Sequence, residues 1–172
     1  WLANEKIKTQ IALQRLVNEI STDMISVDNN SIDAKIMSML SKTGEFFEMD
    51  RSYIMRYDQE CMFESITHEW CAPDVKPEKE SIINVNIRTF PWWNKLVKSN
   101  SVIHIEDCAA LPDDAKIKKK EFERQGIKTL ICFPIVKNGM LMGYYGFDSV
   151  KKIYKWADHQ KEIIEVLTNI LG

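Results

Sequence analysis

Three groups of side chains in this sequence are of types that can do chemistry. The first is aromatic: Trp70, Phe90, Trp92 and Trp93 could stack on a planar ligand or simply close a core beneath a loop. Trp92 and Trp93 are neighbours in a predicted helix and diverge by about 100°, so Trp93 is expected to turn inward and Trp92 outward. The second group, His68, Cys71, His104 and Cys108, has metal-ligating types. Side chains alternate in an extended strand, so His68 and Cys71 point to opposite faces, and no zinc spacing is present. No metal site is expected, and the two histidines read as ordinary strand residues.

The third group is the thiols. A nucleophilic cysteine needs an electropositive, partly exposed setting. Nothing beside Cys61 or Cys132 supplies one, whereas Cys71 and Cys108 lie near loops and are the better candidates. No catalytic residue is assigned. Lys116, Lys118, Lys119, Lys120 and Arg124 are interleaved with Glu121 and Glu123, the pattern of a solvated helix face rather than an anion site. Gly143 and Gly146 stand inside a strand pattern, which marks a bulge, a close backbone approach or packing against helices, the last being expected here.

The chain that must position these residues has 172 of them, 45% hydrophobic and 28% charged, with a formal net charge of −2. That length supports one domain with a real core. The charge gives no electrostatic case for nucleic acid or an anionic membrane. No apolar run approaches the roughly 20 residues that cross a bilayer, so no direct membrane insertion is expected. Four scattered cysteines without a C-x-x-C pair fit reduced, buried thiols of a cytoplasmic protein. The sequence opens on Trp1 and ends on Leu171-Gly172 within a predicted helix, and reads as a domain cut from a longer polypeptide.

Apolar residues at helical spacing predict a helix over 2–24 and a second from Ser31, an N-cap, to Phe47, with Asp28-Asn29-Asn30 as the turn between. Strands are predicted over 52–57 and 62–71, joined by Asp58-Gln59-Glu60, with a short one over 82–87. Pro91 opens a short helix to about Lys98, a strand covers 101–105, and Asp113 or Asp114 caps a helix over 115–125 that stops at Gly126. Residues 127–136 and 140–148 flank Asn138-Gly139, the sequence of a type I′ hairpin turn. A final helix spans 157–171. This order fits an α+β sandwich in which the terminal helices cover one face of an antiparallel sheet and the middle helices the other.

The residues Asp50-Arg51-Ser52-Tyr53-Ile54, Glu69-Trp70-Cys71, Phe90-Pro91-Trp92-Trp93, Ile105-Glu106-Asp107 with Leu111-Pro112, Gly126-Ile127-Lys128-Thr129-Leu130 with Phe133-Pro134, and Gly143-Tyr144-Tyr145-Gly146-Phe147-Asp148-Ser149 with Trp156 resemble the GAF sensory domains of bacterial signalling proteins. The look-alikes precede diguanylate cyclase, phosphodiesterase or histidine-kinase output domains. The resemblance implies a GAF-like (profilin-like) six-stranded antiparallel sheet with a ligand-sized cavity on one face and a dimerising helix bundle on the other. The 127–148 hairpin would be its central pair. It divides the chain into a signalling helix (1–30), a core (31–156) and a C-terminal helix (157–172) that packs with the first.

The candidate ligand-binding residues are Trp70, Trp93, Asp107, Cys108, Phe133 and Tyr144. Leu16, Ile20, Ile163, Leu167 and Ile170 are expected at or under the terminal-helix face of a homodimer. The ligand is an unknown small molecule, since relatives bind many kinds, and no cofactor is assigned. A structural dimerisation module whose cavity is filled by its own side chains is the alternative reading. An enzyme of the methionine sulfoxide reductase type is the second, although the local patterns of sulfoxide reduction, bilin attachment and cyclic-nucleotide binding are absent.

Overall fold

The computed structural model describes residues 2–26 and 32–172. Helix α1 (Leu2–Ile25) buries Leu13, Leu16 and Ile20, and α2 (Ile32–Phe46) buries Met39, Leu40, Thr43 and Gly44, the stripe that 3.6-residue periodicity requires. The expected Asp28-Asn29-Asn30 turn and Ser31 cap lie outside the described residues. Strands β1 (Arg51–Tyr57) and β2 (Phe63–Cys71) follow. The Asp58 carboxylate closes their hairpin by accepting the Met62 and Phe63 N–H groups at 2.6 and 3.0 Å.

The strand expected over 82–87 shrinks to β3 (Val85–Asn86), and Ile87–Thr89 turns into a 3₁₀ helix instead. Pro91 stands at the first position of α3 (Pro91–Val97), where its missing N–H costs nothing. Strand β4 (Ile103–Ile105) precedes α4 (Lys116–Gln125). Neither Asp113 nor Asp114 caps α4. Both are taken up in a 3₁₀ turn, Asp113–Ala115, so the helix starts from Ala115 without a side-chain cap. Gly126 ends it at φ 72°, the left-handed conformation that glycine adopts without strain.

Strands β5 (Thr129–Lys137) and β6 (Met140–Ser149) form the expected hairpin, with Asn138 at φ 52° and Gly139 at φ 77°, as a type I′ turn demands. Helix α5 (Asp158–Asn169) closes the chain, its start fixed by the Gln160 side chain accepting the Ala157 N–H at 2.9 Å.

All strand pairs are antiparallel, in the order β3-β2-β1-β6-β5-β4. The central pair is therefore β1 and β6, not the β5–β6 hairpin, because β1 inserts beside β6 and leaves β5 one place from the edge. On the face covered by α1, α2 and α5, Leu40, Phe47, Tyr145, Phe147, Ile164 and Leu167 are each no more than 1% exposed. The opposite face carries Tyr53, Leu130 and Tyr144, which share one apolar cluster with Trp93 and Val97 of α3 and Phe122 of α4.

Two irregularities set which side chains reach which face. Ile54 pairs with His68 and Met55 with Ile66, so Thr67 is an extra residue in β2. A single extra residue reverses the alternation beyond it. A second shift, between Ile135/Gly143 and Val136/Leu141, does the same in β6.

Candidate functional site

Ala115, at the N-cap of α4, and Lys118, Phe122 and Gln125 within it turn inward at a 3-4-3 spacing, which is one helical face. Lys118 is thus carried into the interior, 6% exposed, on an otherwise basic and solvated helix. Its Nζ lies 4.5, 4.6 and 5.4 Å from the ring centres of Phe90, Trp93 and Phe122, within cation–π range of all three. A carboxylate completes the enclosure: Glu64 of β2, 2% exposed, places Oε1 3.4 Å from that ammonium.

Two further donors converge on Glu64. The Tyr57 hydroxyl and the Trp93 indole N–H both donate to Oε2, each at 3.1 Å. Burial first, and then the Glu64 charge, holds the Tyr57 phenol well above its ordinary pKa and keeps it a donor. Trp93 is in turn stacked edge-on against Phe122, with centroids 5.8 Å apart.

A second buried ion pair lies on the same face. Arg51 donates to Asp148 at 3.2 Å, to the Lys76 carbonyl at 3.0 Å and to the Gln125 carbonyl at 2.9 Å. The Tyr53 hydroxyl donates to the other Asp148 oxygen at 3.1 Å and lies 3.5 Å from the Cys132 sulfur. Burial pushes Asp148 up to about 6 against the opposing pull of Arg51 and the Tyr53 hydrogen bond. Gly146 makes this geometry possible, because a Cβ there would sit 2.3 Å from the Tyr53 ring. Gly143 is required by a different approach, its Cβ falling 2.0 Å from the Met55 carbonyl oxygen. Both glycines thus serve β1 and not the terminal helices.

Glu78, 2% exposed, forms a third pair with Arg124 at 2.8 Å. It is fixed by the Glu69 carboxylate, which accepts the Glu78 and Lys79 N–H groups at 2.9 to 3.0 Å.

These groups border two adjacent spaces. The inner one, between the sheet and α4, has a volume of about 30 Å³ and touches Tyr53, Glu64, Glu69, Trp93, Lys118 and Asp148 among others. The outer one, about 320 Å³, shares Glu64, Ile82, Lys118 and Gln125 with it and reaches solvent past Ser81, Phe90, Glu121 and Arg124. A wider groove of about 810 Å³ crosses the tips of β1, β2 and β6, but its charged groups, Arg56 and Asp58, are exposed. The buried charges single out the smaller site, since a charge is left inside only when it is paired or used.

The six sequence-predicted binding residues do not share a cavity. Trp93 borders it. Cys108 and Tyr144 belong to the apolar cluster on the same face but not to its rim, and the Tyr144 hydroxyl is bonded to the Val97 and Ser101 carbonyls at 3.3 Å. Asp107 caps a 3₁₀ turn through the Ala109 N–H and borders grooves beside β4. Phe133 and Trp70 are on the helix face. For Trp70 the cause is the Thr67 bulge, which turns it off the face of Glu64 and Ile66 and lays its ring against Gly44 of α2, where a Cβ would lie at 2.3 Å. His68 follows it and binds Asp33 at 3.0 Å.

Arg51, Tyr53, Tyr57, Glu64, Lys118 and Asp148 are the groups that sequence reasoning passed over. The basic run was expected to be solvated throughout, and Lys118 corrects that. The available signal was its position, three residues after Ala115 and four before Phe122 on the only apolar stripe of α4. The thiols are all free. Burial pushes Cys71 up to about 11 and Cys108 to about 12, the reverse of what activates a nucleophile.

A GAF domain family model matches residues 32–172. The methanogenesis regulatory histidine kinase FilI of Methanothrix harundinacea (strain 6Ac) is 25% identical over 152 residues, which are 84% of this chain and 16% of that protein. Among solved structures, a biliverdin-bound domain in its far-red-absorbing dark state superposes with a TM-score of 0.75 at 13% identity, covering 91% of this chain and 94% of that one. The wild-type chromophore-binding domain of a Stigmatella aurantiaca phytochrome superposes with a TM-score of 0.71 at 13% identity, covering 93% and 58%. At such identities these two establish the fold alone.

Proposed function

The chain belongs to the GAF domain family, and on that premise we propose that it is the non-catalytic sensory module of a larger signalling protein, binding a small molecule between the sheet and α4. The observation that carries this reading is the polar cleft of about 320 Å³ lying directly over a buried ion pair, Glu64 and Lys118. A cleft of that size is at the lower end of small-ligand sites. Only about 30 Å³ lies beneath it, so the bound state requires Lys118 or its aromatic neighbours to move.

A bilin does not fit these residues. The interior has no room for a tetrapyrrole, and the thiols nearest the loops are held protonated by burial. The closed interior also favours a second reading, a dimerisation module plugged by its own Trp93, Phe122 and Lys118.

Signal transfer would run through the sheet, which is the only layer between cavity and helices. Tyr144 faces the cavity side while its neighbour Tyr145 shares a hydrogen bond with Thr43 of α2. A ligand must distinguish the two states by ~1–3 kcal/mol to act this way. Residues 1–30 and 157–172 would carry the response as signalling helices, in a homodimer located in the cytoplasm and attached to an output domain such as a histidine kinase.

The residues expected at or under the terminal-helix face lie under it. Leu16, Ile20 and Leu167 are 7%, 1% and 0% exposed and hold the protomer's own core, with Ile163 and Ile170 packed against it. The exposed apolar side chains of these helices include Ile7, Ile11, Ile25 and Val166. Ile11, Asn18 and Ile25 recur every seven residues on the outer face of α1, the seam of a two-stranded coil with a polar residue to fix its register.

Thermal shift against a broad metabolite panel tests the sensory reading. A stabiliser whose effect disappears when the cleft is blocked supports it, and a panel without any stabiliser removes the ligand half and leaves the plugged module. Light scattering at micromolar concentration tests the dimer, which Ile11→Lys should dissociate.

A further inference from the structure

The ammonium of Lys118 sits where a ligand of this cavity would sit. It reaches the floor of the outer cleft from α4, meets the faces of Phe90, Trp93 and Phe122 at 4.5 to 5.4 Å, and ends 3.4 Å from the buried Glu64 carboxylate. Three aromatic faces and one carboxylate are a receptor for an organic ammonium ion, because ring quadrupoles and the carboxylate attract the same charge. The rest of the wall has the same preference. Five carboxylates, those of Glu64, Glu69, Glu78, Glu121 and Asp148, border the two adjacent spaces. Against them stand Lys118 and Arg124 on the border, with Arg51 behind Asp148. An anionic ligand would meet a wall that repels it.

We infer that the cavity is a receptor for a small organic ammonium ligand and that Lys118 is its built-in surrogate, filling the cage until a free amine displaces it. This rests on the sensory reading of the same cavity and names the class of ligand. Displacement would free the Lys118 side chain to swing out with the outer turns of α4, so that occupancy is read as a change in how α4 lies on the sheet. The tether gives Lys118 a high effective concentration, on the order of millimolar or more. A natural ligand therefore needs contacts beyond its ammonium, and Ser81 and Glu121 on the rim of the cleft are placed to give them.

Chemical rescue tests the inference. Lys118→Ala removes three methylenes and the ammonium, the shape of n-propylammonium. That ion at millimolar concentration is expected to raise the melting temperature of the variant by ~3–6 °C, with n-propanol and propionate giving no rise and wild type unmoved. In Lys118→Ala/Glu64→Gln the rescue should weaken at least about tenfold, as loss of a charge-assisted contact predicts. Should Lys118→Ala fail to fold alone, refolding from urea is expected to recover it with n-propylammonium and not with n-propanol. Equal rescue by the alcohol, or no rescue in either format, overturns the inference. A neutral or anionic metabolite that stabilises wild type while rescue fails would discard the amine and leave the sensory cavity standing.

Discussion

The two faces of one sheet are built on different principles. On the helix side, Phe47, Tyr145, Phe147, Trp156, Ile164 and Leu167 interlock with ring centroids 4.7 to 6.3 Å apart. On the cavity side, Arg51, Glu64, Lys118 and Asp148 are all at most 6% exposed. Packed apolar surface stabilises by roughly 25 cal/mol per Å², whereas a buried ion pair contributes little or nothing net once desolvation is counted. Apolar packing on both faces holds the fold, and the cavity face in addition keeps charged groups that stability alone does not explain.

Substitutions on the two faces can sharpen or break that contrast. The largest expected loss is on the helix face: Phe147→Ala should cost ~4 kcal/mol in urea unfolding through the cavity it leaves. A loss below ~1 kcal/mol would deny that face its role. Glu64→Leu alone should cost ~3 kcal/mol, because it strands the Lys118 ammonium in the interior. Gly146→Ala, which drives a methyl into the Tyr53 ring, should cost ~2 kcal/mol by overpacking and loosen the Tyr53 bond to Asp148.

The last effect is a pH dependence. Asp148 is raised to about 6 by burial, with Arg51 and the Tyr53 hydroxyl opposing and Glu69 adding to the rise. Between its ordinary pKa near ~4 and 6 the folded state binds more protons than the unfolded one, so this group's contribution to stability falls as pH rises through that window. Asp148→Asn should remove this slope, seen as a difference between the two proteins' melting curves from pH 4 to 7. An unchanged slope would mean that burial does not raise Asp148 above its unfolded value.

How much of this the sequence discloses follows from what patterning reports. Helix periodicity, the Asn138-Gly139 turn and the Gly126 stop are local signals, and they place nearly every element. The family resemblance supplied the six-stranded sheet, but not which strands lie at its centre as read from the hairpin. The site was harder to read because it depends on phase. One extra residue, Thr67, moves Trp70 to the helix face and leaves Glu64 on the other, and no feature of the strand announces it. Lys118 was hidden by composition, since its neighbours Lys116, Lys119 and Lys120 are not buried. Only its spacing from Phe122 sets it apart.

The central claim is that the cavity-side charges are retained for recognition and not for folding. The double variant Glu64→Gln/Lys118→Met tests it most directly, since it removes both charges, strands neither, and keeps an amide oxygen to accept from the Tyr57 hydroxyl and the Trp93 indole. Urea unfolding should find it as stable as wild type or more so, by up to ~1–4 kcal/mol, even though Glu64→Leu alone is destabilised. A double variant that remains ~3 kcal/mol or more below wild type would show that the pair holds the fold, and would contradict the account.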